Sequence, residues 1–172
     1  MRRILVLLLM AVIFSPATVL SQTRTRRSAP ATPRKPAATA ATEVQRAGAT
    51  RVADQIKTLT RFIYLLGGVA KGLESVDEAA KRNEASPAIL EQTAKNKATV
   101  RTSIQTIREA LDKLEIDFRA TPDLQRYYIK LAGTASGAAT AEELAAANQF
   151  DRAGRTLLGV VNQLTDVLLE MR

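Results

Sequence analysis

The chain contains no cysteine, no histidine and no tryptophan, and its aromatic residues amount to 4%. Each absence removes a class of chemistry. Without Cys and His there is no Ser-His-Asp or Cys-His machinery, no thiol redox chemistry and no ordinary zinc site. His- and Cys-ligated haem is excluded, which leaves Met and Tyr as the only iron ligands of that kind. A di-iron helical bundle needs Glu-x-x-His pairs, and the histidine half is missing. No disulfide can form, and there is no cysteine to carry a lipid anchor. No glycine-rich loop of phosphate-cradling spacing occurs, and no alternation of apolar residues at period two marks a strand. The expectation is an all-α protein with no cofactor, no metal site and no catalytic residue. The carboxylate pairs Glu109/Asp112 and Glu142/Glu143 lie off the apolar stripes and read as solvated helix faces.

Long apolar runs are also scarce, and the one that exists is at the start. Arg2 and Arg3 precede the run Ile4 to Phe14, Ser15 and Pro16 break it, and Val19 and Ser21 place small or short side chains just before Gln22. That order matches a secretory signal peptide over residues 1–21, with a mature N-terminus at Gln22. The alternative is an uncleaved anchor. Ile4 to Leu20 is short against the ~20 apolar residues of a spanning helix, and Arg24, Arg26 and Arg27 on its far side oppose the positive-inside rule. Export implies a periplasmic or extracellular chain that is soluble after cleavage.

Charge is unevenly spread. The whole chain has 25 basic and 17 acidic residues. Residues 22–42 hold Arg24, Arg26, Arg27, Arg34 and Lys35 and no acid, whereas from Glu43 onward the two signs nearly balance. Pro30, Pro33 and Pro36 break helices, and alanine is almost all the segment has to bury. Residues 22–42 therefore read as a disordered basic arm, and its five cations as candidate polyanion-binding residues. Anionic lipid or another envelope polyanion is the candidate partner. Specific nucleic-acid binding is not expected, because the arm has no aromatic residue to stack on bases.

The remaining residues, 43–172, suffice for one core. Thr42 to Gln45 has capping-box spacing. Ala49, Val52, Ile56, Leu59, Ile63, Leu66, Ala70 and Leu73 then recur at intervals of three and four, as do Leu90, Thr93, Lys97, Val100, Ile104, Ile107, Leu111, Leu114 and Phe118. Ser86-Pro87 and Thr121-Pro122 are helix starts, and Asn83 is a left-handed stop. A third stripe runs through Leu124, Tyr128, Leu131, Ala135 and Ala138, and a fourth through Ala147, Phe150, Gly154, Leu157, Val161, Leu164, Leu168 and Met171. The phase slips between them. A break at Asn148-Gln149 is preferred over one at Gly133 to Thr140, because it yields two helices of matched length. The expectation is an antiparallel up-and-down four-helix bundle with coiled-coil-like seams, its helices near 43–82, 87–119, 122–147 and 150–171. The first hairpin is the longer and should protrude. Asp77, Thr93 and Lys97 replace apolar residues toward its tip, where Asp77 reads as a partly exposed group paired with a lysine rather than as a metal ligand.

Two features remain for function. Residues 62–70 are apolar all round, so Phe62, Tyr64 and Leu65, with Phe150, form a candidate patch for a protein partner, self-association or an apolar ligand. Gly68-x-x-x-Gly72 and Gly133-x-x-x-Gly137 read as sites of close helix packing. Tyr127 and Tyr128 beside Arg126 have the makings of a stacking platform, though Tyr128 falls on the stripe and is expected in the core. The leading expectation is an exported, non-enzymatic binding or scaffold module tethered to the envelope by its arm. The competing one is a sensor bundle holding a small apolar ligand between helices near Phe62 and Phe150.

Overall fold

Alanine-rich sequence directly after Pro36 starts the first helix earlier than the capping box suggests. A computed structural model describes residues 37–172, with side chains from Thr39 onward, and α1 runs Ala37–Lys81. Alanine has the highest helix propensity, so Ala37 to Thr42 extend the helix where the sequence pattern expected the end of the arm. The signal peptide and the arm cations Arg24, Arg26, Arg27, Arg34 and Lys35 lie outside the described residues.

The described residues are all-helical, with no strand among them. After α1 come α2 (Pro87–Ala120), a 3₁₀ turn (Pro122–Leu124), α3 (Gln125–Leu131), α4 (Thr134–Ala146) and α5 (Phe150–Glu170). No helix among them is long and apolar enough to cross a membrane. The chain ends α1 at Asn83, whose φ is 58°, with Glu84 N–H donating to Ala79 at 2.9 Å and Asn83 N–H to Ala80 at 3.0 Å. Asn148 ends α4 in the same way, with φ 60° and Gln149 N–H donating to Leu144 at 2.8 Å. Both are Schellman stops built on asparagine, the residue that tolerates left-handed backbone best after glycine. Ser86 caps α2 by accepting from Ile89 N–H at 3.4 Å, and Pro87 takes the first helical position.

The third segment departs from the expected single helix. It breaks twice more, at the 3₁₀ turn and at Gly133, whose φ is 98°. Both of the weighed breaks therefore occur, at Gly133 and at Asn148-Gln149. The tighter 3₁₀ turn advances the chain by three residues per turn rather than 3.6. That moves the buried phase to Leu124, Tyr127, Leu131, Thr134, Ala138, Ala141 and Ala145. Tyr127 is thus the core tyrosine, and Tyr128 is half-buried at its edge. In α5 the buried members are Phe150, Ala153, Gly154, Leu157, Val160, Leu164 and Val167, while Val161 and Leu168 pack half-buried beside them and Ala147 is exposed.

Polar side chains fix how the helices meet. The start of α1 lies against the end of α2 through Arg51 and Asp117, 3.1 Å apart, and against the end of α5 through Gln45 Nε2, which donates to Met171 O at 2.9 Å. Farther along, Lys97 Nζ lies 2.6 and 2.7 Å from the two oxygens of Asp77. The end of α3 meets α5 where Gln163 Nε2 donates to Lys130 O and Ala132 O, at 2.7 and 3.0 Å. Fully buried Phe118, Leu124, Tyr127, Ile104, Leu59 and Leu164 fill the space between. Each such side chain contributes roughly 1.5–3 kcal/mol through removal from water. The result is a helical bundle in which α1 packs on α2 and α5, α2 on α4, and α4 on α5.

Candidate functional site

The all-apolar segment of α1 divides between two surfaces. Ile63, Leu66 and Ala70 turn toward the start of α5, where Phe150 is 1% exposed and belongs to the core. Between the two helices lies a groove with a cavity volume of about 270 Å³. Leu66, Ala70, Phe150 and Gly154 line it, and Lys71 and Arg155 stand at its rim. The groove is open at Gly67, where a Cβ would meet nothing within 4 Å. At Gly154 a Cβ would come within 3.5 Å of Leu66, an ordinary contact.

The second surface is the outward side of the same helix. Tyr64 is 84% exposed, Leu65 64% and Val69 39%. Gly68 and Gly72 lie on that side, and Cβ atoms added there would also meet nothing within 4 Å. The Gly68-x-x-x-Gly72 spacing therefore does not mark close packing inside this chain. Gly137 does: a Cβ there would lie 2.7 Å from Val160, where α4 and α5 pass. So does Gly48, where a Cβ would come within 2.9 Å of Leu124 and 3.0 Å of Met171.

The structure does not gather the four candidate patch residues into one surface. Phe150 is core. Phe62 is half-buried against the core. Tyr64 and Leu65 face outward. Nor is there an open tyrosine platform, since Tyr127 is buried under Arg126, whose guanidinium carbon sits 4.5 Å from the ring centre. Glu142 is held by Arg108 at 2.7 Å, and Glu109 accepts from Gln105 at 3.0 Å. Asp77 is paired, as its position suggested, but the Lys97 side chain is only 15% exposed, so this pair is more enclosed than a tip residue was expected to be. Among the described residues no cluster of three or more acidic side chains is arranged to hold a metal ion. No buried side-chain nitrogen or oxygen there lacks a hydrogen-bond partner.

Sequence inspection missed a second polar constellation. Glu115 of α2 accepts from Gly133 N–H at 3.1 Å, Thr134 Oγ1–H at 3.0 Å and Ala135 N–H at 2.8 Å. The two amides are among the backbone donors that the start of α4 leaves without an intrahelical partner. Arg101 of the same helix donates to Ala145 O at 3.2 Å, Ala146 O at 3.1 Å and Asn148 Oδ1 at 3.1 Å. The two carbonyls are acceptors at the end of α4. One helix thus supplies an acid to the positive end of its neighbour and a base to the negative end, the favourable arrangement for both dipole ends. The available signal is the heptad spacing of Arg101, Arg108 and Glu115, which puts all three beside the α2 stripe.

The described residues thus form an all-helical bundle with an exposed apolar side on α1. Comparison with protein-family models, with curated proteins and with solved structures finds no match.

Proposed function

We propose that this protein is an exported, non-enzymatic binding or scaffold module held at the cell envelope by its basic arm. On this reading residues 43–172 form an antiparallel up-and-down four-helix bundle, with α3 and α4 together in the third position. The pairings Arg51–Asp117 and Asp77–Lys97 favour that topology between α1 and α2, and Gln45–Met171 favours it between α1 and α5. The observation that carries the functional reading is the uncovered apolar side of α1, on a body whose described buried side-chain polar atoms all have hydrogen-bond partners. Contiguous exposed apolar surface is what a binding protein keeps and what a plain spacer avoids.

The arm supplies the tether. Arg24, Arg26, Arg27, Arg34 and Lys35 have no acid among them to neutralise. Near an anionic bilayer each is worth about 1 kcal/mol, and counterion release makes the binding fall steeply with salt. Two experiments test the reading. Mass spectrometry of the exported chain should find Gln22 at the N-terminus, and an intact Met1 would refute cleavage. Mature protein should bind anionic vesicles at low salt, release at moderate salt, and lose binding when residues 22–36 are deleted. That deletion stops short of α1, so equal binding by the shortened chain would refute the tether without ambiguity about folding.

A second reading, a small apolar ligand held by the bundle, is favoured by the groove over Phe150 and Leu66. A ligand that binds only the native state raises its melting temperature by mass action. An organic extract of the envelope that raises the melting temperature of wild type, but not of Gly67→Phe, would support this reading.

A further inference from the structure

We infer that the outward side of α1 is the contact for a second copy of this chain, packed antiparallel about Gly68. The inference rests on the reading of the chain as a binding module and names the occupant of its exposed face. Tyr64, Leu65 and Val69 are exposed at 84%, 64% and 39%, and a Cβ added at Gly68 or Gly72 would meet nothing within 4 Å. Two such faces approach closely because nothing projects at the centre.

The charges flanking the face select both the partner and its direction. Lys57 lies eleven residues before Gly68, about 16 Å along the helix, and Glu78 ten residues after it, about 15 Å. Both point to solvent, held only by local pairs to Asp54 and Lys81 at 3.1 Å. Turning a second α1 end for end about Gly68 brings each Lys57 opposite the other chain's Glu78. The same operation sets each Lys71 near the other chain's Tyr64, a cation over an aromatic ring. A two-fold axis makes every such contact twice. A parallel pair in register would instead set Lys57 against Lys57. The charges flanking this face are therefore complementary to themselves reversed, and not aligned.

Sedimentation equilibrium of the mature chain over a hundredfold concentration range tests the inference. The expected result is a two-chain mass that grows with concentration. Leu65→Asp should weaken association at least about tenfold, a change of about 1.4 kcal/mol, with unchanged circular dichroism because the side chain is exposed. Lys57→Glu should weaken it as well, and Lys57→Glu combined with Glu78→Lys should restore it. Because the chain is free of cysteine, a Tyr64→Cys/Lys71→Cys variant offers a clean oxidation test. It should yield covalent dimer, whereas Ile129→Cys, at an equally exposed position, should not. A wild-type chain that stays monomeric throughout, or a dimer indifferent to Leu65→Asp and to both charge changes, overturns the inference. Neither outcome bears on the arm, whose vesicle test stands by itself, so the two failures are distinguishable.

Discussion

The two ends of the α1–α2 hairpin share one stripe of positions and live in different surroundings. At the base, Val52, Leu59, Leu111, Leu114 and Phe118 are enclosed by the 3₁₀ turn, α3 and α5 as well as by each other. Toward the tip, from Glu74 to Thr99, Thr93 is the only buried residue. α1 and α2 are 45 and 34 residues long, against 13 for α4 and 21 for α5. Two helices side by side cannot exclude water from a core, so the tip substitutes an ion pair, Asp77–Lys97, for apolar layers. The same stripe of positions thus carries large energies at one end and small ones at the other.

Substitutions along the hairpin sharpen the contrast. Ile104→Asp buries an unpaired charge where no side chain reaches solvent, and should abolish the helical circular-dichroism signal. Phe118→Ala should leave the fold intact but remove about 3–5 kcal/mol, read from denaturant midpoints, because the ring is fully enclosed. Asp77→Ala should cost much less, about 1 kcal/mol, since the carboxylate is 39% exposed even though Lys97 is mostly covered. A loss near that of Phe118→Ala would mean that something covers the tip. The smallest effect has the opposite sign. Gly67→Ala should raise the melting temperature slightly, by up to about 1 kcal/mol of stability, because helix propensity improves and no atom stands in the way. Gly137→Ala should gain nothing, since its new methyl meets Val160.

How far the chain could be read without coordinates follows from the same physics. The α2 stripe from Thr93 to Phe118 was legible almost residue by residue, because a long unbroken helix keeps its 3.6-residue phase. Ser86, Asn83 and Asn148 were legible as punctuation, because caps depend on the local residue type. Tyr127 was not. Its burial depends on a 3₁₀ turn whose tightness nothing in Pro122-Asp123-Leu124 announces, and one residue of phase exchanges it with Tyr128. The groove was half legible: residues 62–70 read as apolar all round and Phe150 as a stripe residue, but nothing local announced that Leu66 and Phe150 line one groove. Glu115 and Arg101 were invisible because their partners are backbone atoms of a different helix.

That last pair has a consequence for how the molecule assembles. α4 has 13 residues and no capping side chain of its own. A helix of that length is marginal in isolation even when rich in alanine. Its first amides and last carbonyls are satisfied by side chains that exist in position only once α2 is already wound. α2 therefore acts as a jig: it measures out where α4 begins and where it stops. The two should form and melt as one unit, with the Ala135 amide exchanging its hydrogen only when the whole α2–α4 pair opens. A carboxylate and a guanidinium set two heptads apart on one helix thus determine the length of another.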